Sequence, residues 1–158
     1  MQIREMTAEE YPLLDDFLYE AIFIPEGAEK PPREIILNEE LQVYIRDFGK
    51  RKDDHCLVAD NDGKVVGACW VRIMNDYGHI DDETPSFAIS VLEEYRGKGI
   101  GTDLMRVMLE LLKAKGYKRA SLAVQKENYA VKMYKKVGFE IVGENEQEYI
   151  MAVDLKGA

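Results

Sequence analysis

Val91-Leu92-Glu93-Glu94-Tyr95-Arg96-Gly97-Lys98-Gly99-Ile100-Gly101-Thr102 carries the end of an apolar segment into a turn with three alternating glycines. A helical pattern follows at once. Leu104, Met105, Met108, Leu109, Leu111 and Leu112 share one side of a helix predicted from about Gly101 to Lys115, and Gly116 supplies its stop. Glycine reaches backbone conformations closed to other residues and lets a ligand approach the main chain. The start of a helix presents unpaired N–H groups and a partial positive charge, so it takes up phosphate oxygens. Arg96 and Lys98 add formal charge beside it, and the whole reads as a diphosphate cradle. A P-loop needs Gly-Lys followed by Ser or Thr at the end of a longer loop. A dinucleotide fold needs Gly-x-Gly-x-x-Gly after an early strand and an acid at the end of the next. Here the lysine lies between glycines, the turn comes late, and the next strand ends at Gln125-Lys126. A plain strand-to-helix connection needs one glycine, not three.

Outward from the turn, the pattern alternates between the two periods. Gln2 to Met6 reads as a strand, and Thr7 with Glu10 forms a capping box that starts a helix at about Ala8. Leu13, Leu14, Phe17, Leu18, Ala21 and Ile22 carry that helix to the loop Pro25 to Arg33, and a second helix is predicted from about Glu34 to Phe48. His55 to Asp60 and Lys64 to Met74 form a hairpin about Asn61-Asp62-Gly63. Ser86 to Leu92 is a strand, Ala120 to Val124 another, and Asn128 to Val137 a helix stopped by Gly138. Phe139 to Val142 and Glu148 to Asp154 close the chain as paired strands. The expected class is α/β, a mixed sheet of about seven strands with about four helices in a single domain, residues 1–158.

Arg96-x-x-Gly99-x-Gly101 resembles the pyrophosphate-binding signature of the GCN5-related N-acetyltransferase (GNAT) superfamily. Asn128, Ala130, Tyr134 and Gly138-Phe139 are similar to that family's second coenzyme-A segment, Asn-x-x-Ala-x-x-x-Tyr-x-x-x-Gly-Phe, with the asparagine one position nearer the alanine, and the order of elements is also the family's. The resemblance implies an acyl-CoA N-acyltransferase fold with two splayed parallel strands around the cofactor. It also implies transfer of an acetyl group from acetyl-CoA, as co-substrate and with no metal, to a primary amine of a small molecule or peptide. Transfer would be direct, through a tetrahedral intermediate. The implied coenzyme-binding residues are Val91, Leu92, Arg96, Gly97, Lys98, Gly99, Ile100, Gly101, Thr102 and Asn128. Val91 would pair with the pantetheine arm, and an N–H of the splayed strand Leu122-Ala123-Val124 would steady the oxyanion. Tyr134 is the implied acid for the thiolate. The family often places an acidic residue near the start of the cradle strand; Glu83 is the candidate base here, with a water relay as the alternative. The first two helices, the loop Pro25 to Arg33 and residues 77–85 are expected to set acceptor choice, with Tyr19, Phe23, Trp70, Arg72 and Tyr77 as candidate lining. A module that binds acyl-CoA without transferring the group, or a transferase for another acyl-CoA, stays open.

The 158 residues carry 30 Asp and Glu against 21 Lys and Arg, a net charge of -9, which argues against a nucleic-acid partner. No apolar run reaches the roughly 20 residues that cross a bilayer, and Met1 to Met6 lacks the basic and apolar segments of an export signal. No membrane partner and a cytoplasmic location are expected. Cys56 and Cys69 lie among apolar residues and are read as buried free thiols. His55 and His79 stand apart, in surface or loop roles rather than metal binding. The last two strands are a candidate homodimer seam.

Overall fold

Asp62 and Gly63 both take positive φ, 52° and 92°, and so form the two-residue turn whose twist suits a hairpin. That turn joins β2 (His55–Asn61) to β3 (Lys64–Arg72), the pair at the heart of the N-terminal half of the sheet. The computed structural model describes residues 1–155. β1 (Gln2–Glu5) pairs antiparallel with β2, and β3 with β4 (Ser86–Val91). The C-terminal half contains β5 (Arg119–Gln125), β6 (Glu140–Glu144) and β7 (Glu148–Asp154), with β7 antiparallel between the other two. The sheet order is β1-β2-β3-β4-β5-β7-β6. Its two halves join through β4 and β5, which are parallel and in register only at Ser86 and Ser121. β6 is an outer strand, and Ile141 and Val142 on it are exposed.

Two apolar layers cover the sheet. On one face α3 (Ile100–Ala114) buries Leu104, Met105, Met108 and Leu112, a stripe at helical spacing. Val131 and Tyr134 of α4 (Ala130–Lys136) join the same layer, with Phe87, Val91, Leu122 and Val124 from the strands. α3 closes at Gly116 (φ +90°), where the Tyr117 N–H donates to the Leu112 carbonyl at 3.1 Å. On the other face α1 (Leu14–Glu20) and the segment around α2 (Glu39–Gln42) pack Leu14, Phe17, Ile36, Ile45 and Phe48 against Val58, Ala68 and Trp70. Cys56 lies in this second layer and Cys69 in the first, so the sheet separates the two free thiols.

The two N-terminal helices differ from expectation. The chain from Ala8 to Leu13 winds as a 3-10 helix before α1 begins, and α1 ends at Glu20. Pro12 lacks an N–H and its ring crowds the carbonyl four residues back, so the α pattern cannot start until Leu14. Thr7 and Glu10 do form the expected cap, the Thr7 N–H donating to Glu10 Oε1 at 3.0 Å. The second helix is broken: Arg33–Leu37 is 3-10, Asn38 is extended at ψ 141°, and α2 is a single turn. Asn38, extended where α2 starts, and β-branched Ile35, Ile36 and Val43 favour this over one long helix. The remaining expected elements are present with ends moved by one or two residues. Among the described residues no helix is long and apolar enough to cross a membrane.

Candidate active site

The single parallel pair at Ser86 and Ser121 leaves β4 and β5 to diverge beyond it. The Leu92 N–H donates to Val66 on β3 at 2.9 Å, and the Val91 carbonyl points the other way, accepting Arg96 Nε at 2.8 Å. Main-chain groups alternate sides along a strand, so those of Ile89 and Val91 face the gap. On β5 the Ser121 N–H donates to the Pro85 carbonyl at 3.0 Å, and two residues on the Ala123 N–H points the same way. A cavity of about 880 Å³ opens here. Its walls come from Ile89 to Val91, the turn from Tyr95 to Thr102 apart from Lys98, Glu127 to Ala130 with Met133 and Tyr134, and Glu20 to Ile24 with Glu26.

The floor of the cavity is the glycine turn. Gly97 and Gly99 take φ +76° and +84°, and nothing lies within 4 Å of where a Cβ would stand on either. Gly99 caps α3, whose first N–H groups emerge at Ile100, Gly101 and Thr102. Gly101 sits against α4: a Cβ there would come within 3.3 Å of Met133 Sδ. Arg96 fastens the turn to its surroundings. Besides the Val91 carbonyl it reaches the Glu20 carbonyl at 3.2 Å and Glu20 Oε1 at 3.4 Å, both at the end of α1.

Tyr134 and Asn128 enter from the β5 side. The Asn128 Oδ1 accepts the Ala130 N–H at 2.9 Å and so opens α4. Tyr134 is 9% exposed and meets Phe139 edge-on at 6.1 Å. Among the described residues its hydroxyl has no hydrogen-bond partner, yet the oxygen is not sealed from the cavity. Burial pushes its pKa up, so the phenol stays protonated.

The family model for the acetyltransferase (GNAT) family matches residues 14–139. The chain belongs to that family. One relative, from Bacillus subtilis (strain 168) and provisionally named a ribosomal protein bS18-alanine N-acetyltransferase, is 34% identical over 96 residues, 60% of each chain. An N-alpha-acetyltransferase of Sulfurisphaera tokodaii is 32% identical over 114 residues, 62% of this chain and 68% of its own. The chain spans only 28% to 60% of the length of its Bacillus subtilis and Corynebacterium efficiens relatives. PaiA N-acetyltransferase from Thermoplasma acidophilum, solved in complex with coenzyme A, has the same fold. Its TM-score is 0.71 at 21% identity, over 97% of this chain and 98% of that one. The architecture observed is thus the expected GNAT one of seven strands, with a parting between β4 and β5.

Not every expected residue of the GNAT chain reaches the cavity. Val91, Arg96, Gly97, Gly99, Ile100, Gly101, Thr102, Asn128 and Tyr134 line it, and Leu92 and Lys98 do not. Leu92 packs into the core, and the Lys98 ammonium lies over the Tyr95 ring at 5.5 Å. Glu83 is not brought to the gap. It is exposed, its N–H donates to Asp81 Oδ1, and it borders a different cavity beside Lys115 to Arg119, where α3 ends. The 15 residues of α3 separate that end from the cradle, roughly 20 Å at 1.5 Å per residue. Of the expected acceptor lining, only Phe23 faces the cavity. Trp70 and Arg72 are fully buried, Trp70 donating to the Tyr44 carbonyl at 3.0 Å and Arg72 pairing with Asp54. Tyr19 donates to the Pro31 carbonyl at 2.6 Å, and Tyr77 is 40% exposed.

One carboxyl that sequence reasoning passed over lies beside Ser86, the β4 residue that pairs with β5. Asp76 Oδ1 accepts the Ser86 hydroxyl at 3.0 Å and Oδ2 the Tyr44 hydroxyl at 3.3 Å. Burial holds it above the usual carboxylate range. Glu148 is also raised, by burial and then by the charge of Asp76. The only sequence signal was an acid in the turn Asn75-Asp76-Tyr77-Gly78, which many solvated turns share.

Proposed function

We propose that this protein is an N-acetyltransferase that moves the acetyl group of acetyl-CoA onto a primary amine of a small molecule or peptide. The observation that carries the reading is a parted pair of parallel strands opening directly onto a left-handed glycine turn at a helix N-terminus. The residues present fit the coenzyme. Open space beside Gly97 and Gly99 admits a diphosphate to the main chain, and the first N–H groups of α3 are free to receive it. The Val91 N–H would hold the pantetheine arm as an added strand would, and Asn128 would border it beside α4. Arg96, engaged with Val91 and Glu20, acts by holding the turn in shape and by its charge. Tyr134 would hand its proton to the departing thiolate, and the Ala123 N–H would meet the developing oxyanion.

An α-amine of a peptide gains support from the relatives named for a protein alanine and for N-alpha-acetylation. The two free, buried cysteines suit a reducing compartment, and we assign the protein to the cytoplasm. Thiol release from acetyl-CoA, measured with alanyl peptides, spermidine and free lysine as acceptors, tests the activity. Turnover is expected with at least one of them. Calorimetric binding of acetyl-CoA without turnover on a broad amine panel would make the protein a binding module. Preference for succinyl-CoA in the same titration would change the donor.

A further inference from the structure

We infer that Asp76 is the general base that takes the proton from the acceptor amine. The inference rests on the transferase reading above and concerns the face of the sheet opposite α3. Leu122 and Val124 turn into the α3 layer, so Ser121, Ala123 and Gln125 look the other way. Their cross-strand partners Ala152, Ile150 and Glu148 share that face. The segment after β3 crosses the same face. The Ser121 hydroxyl donates to the Gly78 carbonyl at 2.7 Å, and a Cβ on Gly78 would stand 3.0 Å from the Ala123 nitrogen. Asp76 is thereby held at Ser86, the last β4 residue in register with β5, where the strands begin to part.

A second observation points to a reacting group between the strands. Tyr134, nine-tenths buried and without a partner among the described residues, opens onto the cavity beside Ile89 to Val91 of β4 from the α3 and α4 side. A thioester lying between β4 and β5 would have a proton donor on one face of the sheet and a proton acceptor on the other. The groups facing Asp76 are Tyr44 from the turn after α2, Ser86 from β4, Glu148 from β7 and the main chain of its own turn. Among the described residues none of these groups is cationic, so none of them neutralises the carboxylate before a cationic amine arrives.

The step balances. An alkylammonium gives one proton to Asp76, and the freed lone pair forms the C–N bond at the thioester carbonyl. As the adduct collapses the C–S bond breaks with its electron pair on sulfur. The second nitrogen proton is lost and the thiolate gains one from Tyr134, which recovers it through water. Overall an ammonium and an acyl thioester become an amide, a thiol and one proton, which Asp76 returns to solvent.

The test is Asp76→Asn, assayed with a primary alkylamine the wild type acetylates and with its β,β-difluoro analogue, in mildly alkaline buffer where the fluorinated amine is largely neutral and the alkylamine is still protonated. Acetyl-CoA affinity by calorimetry reports that the fold is kept. We expect kcat/KM for the alkylamine to fall on the order of 100-fold. The deficit should shrink at least tenfold for the fluorinated amine and narrow as pH rises toward the alkylamine's own pKa, and Asp76→Glu should recover activity. Wild-type rates in Asp76→Asn would overturn the assignment and leave the transferase reading intact. An equal deficit for both amines would make Asp76 an anchor of its loop and equally overturn it. Absence of wild-type turnover with every amine, despite coenzyme binding, would remove both readings.

Discussion

Tyr134 spends nearly all its surface on packing and none of its hydroxyl on a partner among the described residues, although buried tyrosines usually pair theirs. Its removal should therefore cost chemistry and little stability. Tyr134→Phe is expected to lower kcat about 100-fold with little change in the KM for acetyl-CoA, and to melt within about 2 °C of wild type, no hydrogen bond being lost. Thiol-release kinetics and a thermal scan check both halves. At this scale the sequence pointed to the cavity lining where a residue type recurs at fixed spacing, as for Gly97, Gly99, Gly101 and Tyr134. Acids were not legible in this way. Asp76 and Glu83 lie seven apart in one connection, and only the path of that connection over β5 decides that Asp76 meets Ser86 while Glu83 stays exposed.

The turn before α3 concentrates two left-handed residues within three positions. Each left-handed non-glycine residue costs about 1–2 kcal/mol, and the space beside both is open, so substitution strains the backbone without striking the protein. Gly99→Ala should lose at least tenfold in affinity for acetyl-CoA while lowering the melting temperature by only a few degrees; calorimetry and a thermal scan would show the split. α3 was readable because its stripe and its stop are local. The segments ahead of it were less so, since apolar residues three and four apart look alike in 3-10 and α winding. Pro12 tips that balance through a missing donor, and Asn38 through its extended backbone at the start of α2.

Across the whole molecule, two half-sheets meet at one parallel pair, and each helical layer must be fastened to strands from afar. The fastening on the α2 side is ionic. Arg72, sealed from solvent with Asp54, binds that carboxylate at 2.9 and 3.0 Å and the carbonyls of Val43 and Arg46 at 3.2 and 2.8 Å. Removing one partner strands a buried charge, so Asp54→Ala should cost about 3–5 kcal/mol, read from the urea midpoint. An arginine inside a strand pattern gives no hint of such a partner eighteen residues away. The acyl-CoA fold was legible in outline because alternation and glycine punctuation are local; the depth of Trp70 and Arg72 emerges only when α2 closes over them. Burial also raises the pKa of Cys56 and Cys69 and keeps both far from the thiolate form. A chromogenic disulfide reagent added to a folded sample should consequently colour slowly, if at all, on the protein itself. Sulfhydryl appearing during a reaction can then be credited to the released coenzyme, with little correction for background.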